Sequence, residues 1–151
     1  MEKLIFKYWN HNGYYNLVAN INKIITRFTT PDLEGPKGSI NTKLLEVDYK
    51  VKSSLFGSNK AGKLVGQDAL NFVNLLAEAK IQDWEDTYYP EEQIIADQGQ
   101  FNICYVDDST NIYFILGEEL CEPFGYHKML EAIAIADTDI CKLMLDESLD
   151  E

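Results

Sequence analysis

The sequence predicts an α+β domain with a mostly antiparallel sheet of about five to six strands and two main helices packed on one face. Two patterns support this fold class. Residues 45–52 alternate apolar and charged side chains without interruption, as in a strand with one buried face. Residues 67–80 place apolar side chains at steps of three and four, as on one face of a helix. With 151 residues and 46% hydrophobic content, residues 1–151 are expected to form a single domain.

The N-terminal part predicts a hairpin followed by more sheet. Residues 3–9 and 14–21 are rich in β-branched and aromatic types and flank Asn12-Gly13, which suits a tight turn. Residues 23–30 continue as a further strand, and residues 31–39, with two prolines and two glycines, form a loop. We expect the strand over 3–9 to present an exposed edge, which would permit a homodimer, so the chain is predicted to be a monomer or a homodimer.

Residues 53–62 are polar and predict a loop that leads into the first helix. The strand before this loop, residues 45–52, buries Leu45, Val47, Tyr49 and Val51. The predicted buried face of the helix consists of Val65, Ala69, Phe72, Val73, Leu76 and Ala79.

The C-terminal part predicts a second hairpin and a shorter helix. Residues 100–106 and 111–116 are strongly apolar and are separated by a polar turn. The helix is expected over 124–136, with Asp137 or Thr138 capping a last turn. The acidic tail over residues 146–151 is expected to be frayed.

The net charge of −12 is divided unevenly along the chain. Residues 1–80 carry a balance of +4, whereas residues 81–151 carry −16. Such a field repels phosphate backbones and anionic lipids, so we expect no direct binding to nucleic acid or membranes and an attraction for a basic protein partner. Whether the basic first half forms a second surface is left open by the sequence.

The three cysteines and the N-terminus indicate a cytoplasmic protein. An odd number of cysteines without CxxC spacing disfavours disulfides and structural zinc. The N-terminal residues include charged and polar types with only a short apolar run, unlike a signal peptide or a membrane span.

Three patterns resemble catalytic or metal sites but are incomplete. Residues 57–63 match the GxxxxGK of a phosphate-binding loop, yet Leu64 replaces the Ser or Thr that ligates magnesium, so a surface turn is favoured. Cys121 and His127 lack a local catalytic motif. The clustered carboxylates lack the alternating ligands and glycine of a calcium loop. We therefore predict no catalytic residues, no metal and no cofactor.

The segment after the first helix, IQDWEDTYYPEEQ, mixes aromatic rings with carboxylates. Trp84 is expected to pack against the edge of the core, because indoles bury a large area. The other rings and the acids are expected to face outward, which is typical of an interface with ring anchors and a rim that steers a cationic partner. The predicted partner-binding residues are Asp83, Glu85, Asp86, Tyr88, Tyr89, Glu91 and Glu92.

Three segments follow one another in the second half of the chain: AKIQDWEDTYYPEE, FNICYVDDSTNIYFILG and CEPFGYHKMLEAI. With the segments in this order, the chain resembles small acidic bacterial proteins of the immunity type over about residues 67–136. Phe101 stands where that pattern would have Trp, and Cys121-Glu122-Pro123 replaces an asparagine, aromatic, proline run. The resemblance implies a mode of action in which the protein binds and neutralises a cognate toxin, often a nuclease.

The charge leads to the same expectation, because a nuclease domain needs a basic surface that an acidic protein can occlude. We therefore predict a non-catalytic, protein-binding inhibitor that neutralises a basic, nuclease-type toxin. Two alternatives remain: a phage anti-defence protein or nucleic-acid mimic, and a small enzyme of unidentified type. A deep pocket near Cys121 and His127 or near residues 57–63 would favour the enzyme.

Overall fold

A computed structural model describes residues 2–23, 45–89 and 99–143, and it confirms the α+β class. The order along the sheet is β4-β3-β2-β1-β6-β7-β5, and every pairing is antiparallel except that of β5 with β7. The elements are β1 Glu2–Asn10, β2 Gly13–Lys23, β3 Leu45–Ser53, β4 Asn59–Val65, α1 Gly66–Ala79, β5 Thr87–Tyr88, β6 Gln100–Val106, β7 Ile112–Glu118 and α2 Tyr126–Ala136.

The first hairpin forms as predicted, with Asn10 opposite Gly13. Gly13 has a φ of +150°, and a Cβ there would lie 2.4 Å from Ser54 Oγ, so only glycine fits this turn without strain. The expectation of an exposed edge on β1 is wrong, because β1 lies between β2 and β6 in the middle of the sheet. Dimerisation through that edge is therefore excluded.

Strand β4 corrects the predicted loop over residues 53–62. Residues from Asn59 onward pair with β3 in a regular antiparallel register, from Lys52 opposite Asn59 to Glu46 opposite Val65. Together with the two-residue β5, this strand raises the count to seven, above the predicted five to six. The predicted strand over 23–30 beyond Lys23, the loop over 31–39 and the tail over 146–151 lie outside the described residues.

The core lies between the sheet and the two helices. The predicted inward side of β3 is confirmed, with Leu45, Val47 and Val51 buried and Tyr49 packed against the core. On α1, Ala69, Phe72, Leu76 and Ala79 are buried, with Val73 packed beside them; Val65 is instead the N-cap and is 54% exposed.

Helix α2 begins two residues later than predicted. Gly125 precedes it with a φ of +101°, and a Cβ at Gly125 would lie 2.4 Å from the carbonyl oxygen of Ala79. The chain therefore turns at Gly125 against the end of α1, and Phe124 stays outside the helix. Asp137 caps the following 3-10 turn, Thr138–Ile140, by accepting the Asp139 N–H at 3.2 Å.

The face of the sheet opposite the helices is not covered by any described element. Side chains on this open face alternate with buried ones along each strand, and the register places them in rows that cross the sheet. One such row runs through Lys50, Val18, Ile5, Cys104 and Phe114. The helix layer and the open face of the sheet thus form two chemically different surfaces.

Candidate functional site

The predicted acidic segment leaves the end of α1 and runs along the outer edge of β7. Lys80 ends the helix in the left-handed conformation, with a φ of 54°, and the 3-10 turn Ile81–Asp83 follows. Thr87 and Tyr88 then pair in parallel with Leu116 and Gly117, and the Leu116 N–H donates to the Asp86 carbonyl at 2.9 Å. The segment is therefore fixed to the sheet by backbone hydrogen bonds.

Trp84 has the structural role predicted for it. Its ring is partly buried against the core, and the indole N–H donates to the Ala79 carbonyl oxygen at 2.9 Å. This contact satisfies one of the carbonyls left free at the end of α1. Trp84 thus attaches the beginning of the acidic segment to the helix layer.

The two tyrosines of the segment differ in their surroundings. Tyr88 is half-buried against the core, and its hydroxyl accepts the Glu85 N–H at 2.7 Å, so it does not face fully outward as expected. Tyr89 is 48% exposed. Of the two, Tyr89 is therefore the ring available to a partner, whereas Tyr88 positions the turn that carries Glu85.

The carboxylates of Asp83, Glu85 and Asp86 are exposed. Within the three described ranges, none of them forms an ion pair. Partial desolvation, then the charge of Asp107 and its hydrogen bond, raise the pKa of Tyr113 on β7, and the charge of Asp83 adds to this rise. The remaining predicted contact residues, Glu91 and Glu92, lie outside the described part of the chain.

Two exposed apolar residues at the same end of the molecule were not predicted. In the loop between β7 and α2, Leu120 is 67% exposed and Phe124 is fully exposed, at 101%. A Cβ at Gly125, next to Phe124, would clash with the same Ala79 carbonyl oxygen that accepts the Trp84 indole N–H, so the backbone of this loop passes close to that carbonyl. The acidic segment and this apolar loop therefore meet at the end of α1, and we call them together the acidic end.

Several acids of the second half serve the fold and do not belong to this surface. The buried Asp137 carboxylate accepts from the Tyr15 hydroxyl at 2.8 Å and pairs with Lys60 at 2.5 Å. Burial, then the hydrogen bond to Asp137, raise the pKa of Tyr15, which keeps the phenol protonated. Asp139 accepts from Ser58 at 2.9 Å and pairs with Lys142 at 3.4 Å.

Two further acids, Asp107 and Glu119, also accept hydrogen bonds within the fold. Asp107 closes the β6–β7 turn by accepting the N–H groups of Ser109 and Asn111, each at 2.9 Å. Glu119 accepts from the Tyr8 hydroxyl at 2.9 Å. The acidic end therefore contains only some of the acids that give residues 81–151 their negative charge.

The phosphate-loop pattern at residues 57–63 does not form a phosphate cradle. Residues from Asn59 belong to β4, Lys60 pairs with Asp137, and Lys63 pairs with Glu46 at 3.2 Å. A phosphate loop instead wraps its backbone N–H groups around the anion at a helix start. The segment functions as an edge strand.

Cys121 has the electrostatic environment of an unreactive thiol. Burial, then the charges of Glu118 and Glu122, raise its pKa, which disfavours the nucleophilic thiolate. His127 is exposed on α2 and contacts the ring of Tyr126 edge-on. Among the described residues, no group of His, Cys, Asp and Glu side chains is placed to hold a metal.

The described helices are too short or too polar to cross a membrane. Comparisons of the chain with protein-family models, curated proteins and solved structures find no match. The resemblance to immunity proteins therefore stays a prediction from the sequence.

Proposed function

We propose that this chain is a non-catalytic, protein-binding inhibitor that neutralises a basic, nuclease-type toxin domain, as bacterial immunity proteins do in the cytoplasm. The observation that carries the proposal is the composition of the acidic end. The exposed carboxylates of Asp83, Glu85 and Asp86, which form no ion pair with any residue of the described ranges, lie at the same end as the exposed rings of Tyr89 and Phe124. The predicted contacts Tyr88, Glu91 and Glu92 remain part of the proposed surface.

The rings and the acids of the acidic end have different roles in the proposed complex. A fully exposed phenylalanine gains from desolvation only when a partner covers it, and buried aromatic anchors carry much of the energy of an interface. The surrounding carboxylates attract a basic surface over long range and increase the rate of association. A nuclease fits this chemistry because it needs clustered Lys and Arg to hold a phosphate backbone.

The first experiment is a pull-down from the native host at low and then high salt, followed by measurement of binding to the captured protein. The triple variant Asp83→Lys, Glu85→Lys, Asp86→Lys is expected to slow association at least tenfold at low salt and to flatten its salt dependence. The matched control reverses three acids that are at least partly exposed and lie away from the end of α1, Asp48, Asp68 and Glu131. Equal effects of the two triple variants would refute a local contact surface, because both change the net charge equally.

A second variant tests the apolar anchor. Phe124→Ala is expected to speed dissociation at least tenfold without lowering protein stability, because the ring has no internal contacts to lose. Phe114→Ala is the control, since Phe114 is also strongly exposed, at 64%, but lies on the open face of the sheet. Weaker binding by the Phe114 variant alone would move the interface away from the acidic end.

A further inference from the structure

The open face of the sheet carries a surface of the opposite sign. Lys3, Lys7, Lys50 and Lys52 all lie on this face, on β1 and β3, on either side of β2. None of the four forms an ion pair within the part of the chain that the structure describes. Four of the eleven Lys and Arg residues of the first half therefore share this face, in a protein whose net charge is −12.

A groove of about 540 Å³ lies over β2, β3 and β4 in this basic area and reaches residues 59–61. It is an open groove lined, among the described residues, by no Asp, Glu, His or Cys, so it differs from the deep pocket with converging catalytic groups that would favour an enzyme. Its lining includes Asn16, Val18, Lys50, Lys52, Asn59 and Ala61. The full lining contains three lysines and no Asp or Glu; the third, Lys60, is already paired with Asp137. The groove thus offers free positive charge, two amides and a small apolar floor.

The register sets the spacing of these groups. Lys50 lies between Val18 and Ala61, and Lys52 lies between Asn16 and Asn59. Because Lys50 and Lys52 are two residues apart on one strand, their side chains leave the sheet about 6.8 Å apart. In an extended peptide, side chains two residues apart have the same spacing, so two carboxylates in a Glu-x-Glu pattern match the two lysines.

The two ends of the groove differ. Beyond Lys50, Asp48 and Glu46 share one ammonium group, that of Lys63, at 3.8 and 3.2 Å, so the three side chains together keep one negative charge. Beyond Lys52, the groove ends near Tyr14 and Trp9, which are paired with each other across β2 and β1. Lys7 adjoins Asn16 on the β1 side and adds a second charge to the row that contains Lys52, which makes, with Lys50, three lysines that form no ion pair in the described ranges.

We propose that this groove binds an extended, acidic polypeptide segment with carboxylates at alternating positions. Lysines give point charges suited to carboxylates, and the asparagine amides supply donors and acceptors for a peptide backbone. A single-stranded nucleic acid fits less well, since it gains affinity by stacking successive bases on rings; the floor, made of Asn16, Val18 and Ala61, carries no ring, and the rings of Tyr14 and Trp9 lie at one end only. The chain's negative field also repels a long polyphosphate more than a short peptide.

The site is independent of the acidic end. Four strands separate β3 from β5 in the sheet, and the two surfaces lie at opposite ends of its strand order. A segment bound in the groove therefore leaves the acidic end free. The protein would thus hold a basic partner and an acidic segment at once.

Fluorescence anisotropy with a labelled ten-residue peptide that alternates Glu with Ser and Val tests the proposal. The wild-type protein is expected to bind this peptide with an affinity that falls with salt, and to bind its Glu-to-Gln counterpart at least tenfold more weakly. Lys50→Gln with Lys52→Gln should weaken binding at least tenfold. The matched pair Lys80→Gln and Lys128→Gln, on the helix side, should change it by less than twofold.

Three results would overturn the proposal: no binding of the acidic peptide by the wild type, equal losses in the two lysine pairs, or tighter binding of a ten-nucleotide oligothymidine than of the peptide. The last result would assign the groove to single-stranded nucleic acid. The Asp83, Glu85 and Asp86 triple variant should keep peptide binding, so a failure of the groove and a failure of the acidic end are distinguishable. All four substituted lysines are exposed, so the variants should fold normally.

Discussion

Gly117 fixes the position of the acidic segment, and Gly117→Ala is expected to release it. A Cβ at this position would lie 2.4 Å from Cζ of Phe101 and 2.8 Å from the carbonyl oxygen of Tyr88. The Phe101 ring is buried and packs on Tyr126 with ring centroids 5.0 Å apart, so it has little room to move. Strand β7 must therefore shift at position 117, and we expect this shift to break its pairing with the two-residue strand β5, which pairs only with β7.

The loss of stability expected for Gly117→Ala has two sources, overpacking and lost hydrogen bonds. Forcing an extra carbon into a packed site costs about 1–3 kcal/mol, and a shift of β7 exchanges part of this strain for about 0.5–1.5 kcal/mol for each hydrogen bond to β5 that is lost. We therefore expect the free energy of unfolding to fall by about 1–2 kcal/mol. Opening of the β5–β7 contact should become about 5-fold to 30-fold more frequent, since 1.4 kcal/mol is a factor of ten.

Amide hydrogen exchange at Leu116 measures this opening, because its N–H donates to the Asp86 carbonyl. Exchange there should accelerate in Gly117→Ala beyond what the loss of global stability explains. Gly62→Ala is the control: its Cβ would meet the hydroxyl end of Tyr49 at 2.5 Å, a side chain that can rotate. If Leu116 keeps its protection while Gly117→Ala and Gly62→Ala lose equal stability, then Gly117 does not hold the segment.

Two further predictions concern the ionic network at the end of α2. Asp137→Ala should lower the free energy of unfolding by about 2–4 kcal/mol in urea denaturation, because the buried Tyr15 hydroxyl loses its acceptor and the last turn loses its cap. As a control, Thr138→Ala at the exposed neighbouring position should lower the free energy of unfolding by less than about 0.5 kcal/mol. The hydrogen bond from Ser58, then the charge of Lys142, lower the pKa of Asp139 against the opposing effect of burial. The stability that Asp139 contributes should therefore be complete above its ordinary pKa of 3.8 and be lost as the pH falls through the lowered value. NMR titration should show this pKa rising toward 3.8 in Ser58→Ala, and an unchanged pKa would contradict the assignment.

Local sequence patterns were sufficient to predict a strand or a helix where that element has one clearly apolar face. The alternation over residues 45–52 predicted β3 and its inward side, and the spacing from Ala69 to Ala79 predicted the buried face of α1. β4 was missed because Asn59, Lys60 and Gly62 are poor strand formers. Pairing with β3 makes this segment a strand, and such non-local pairing leaves little trace in the sequence.

The candidate site was predictable in its charge but not in its rings. The acids of residues 83–86 are visible in the composition, whereas Phe124 was assigned to the predicted helix over 124–136. The positive φ of Gly125 delays the helix and leaves Phe124 in solvent. The glycine itself was the available signal, because a glycine just before a helix often marks such a turn.

The two tryptophans of the chain lie at different surfaces, which provides a built-in pair of spectroscopic probes. Trp84 is anchored beside the acidic end, and Trp9 stands on the open face next to Tyr14 at the end of the lysine groove. Replacing either one with Phe leaves a protein whose fluorescence reports on one surface alone. Emission from the two single-tryptophan proteins would then reveal, without any added label, which side of the molecule a ligand has reached.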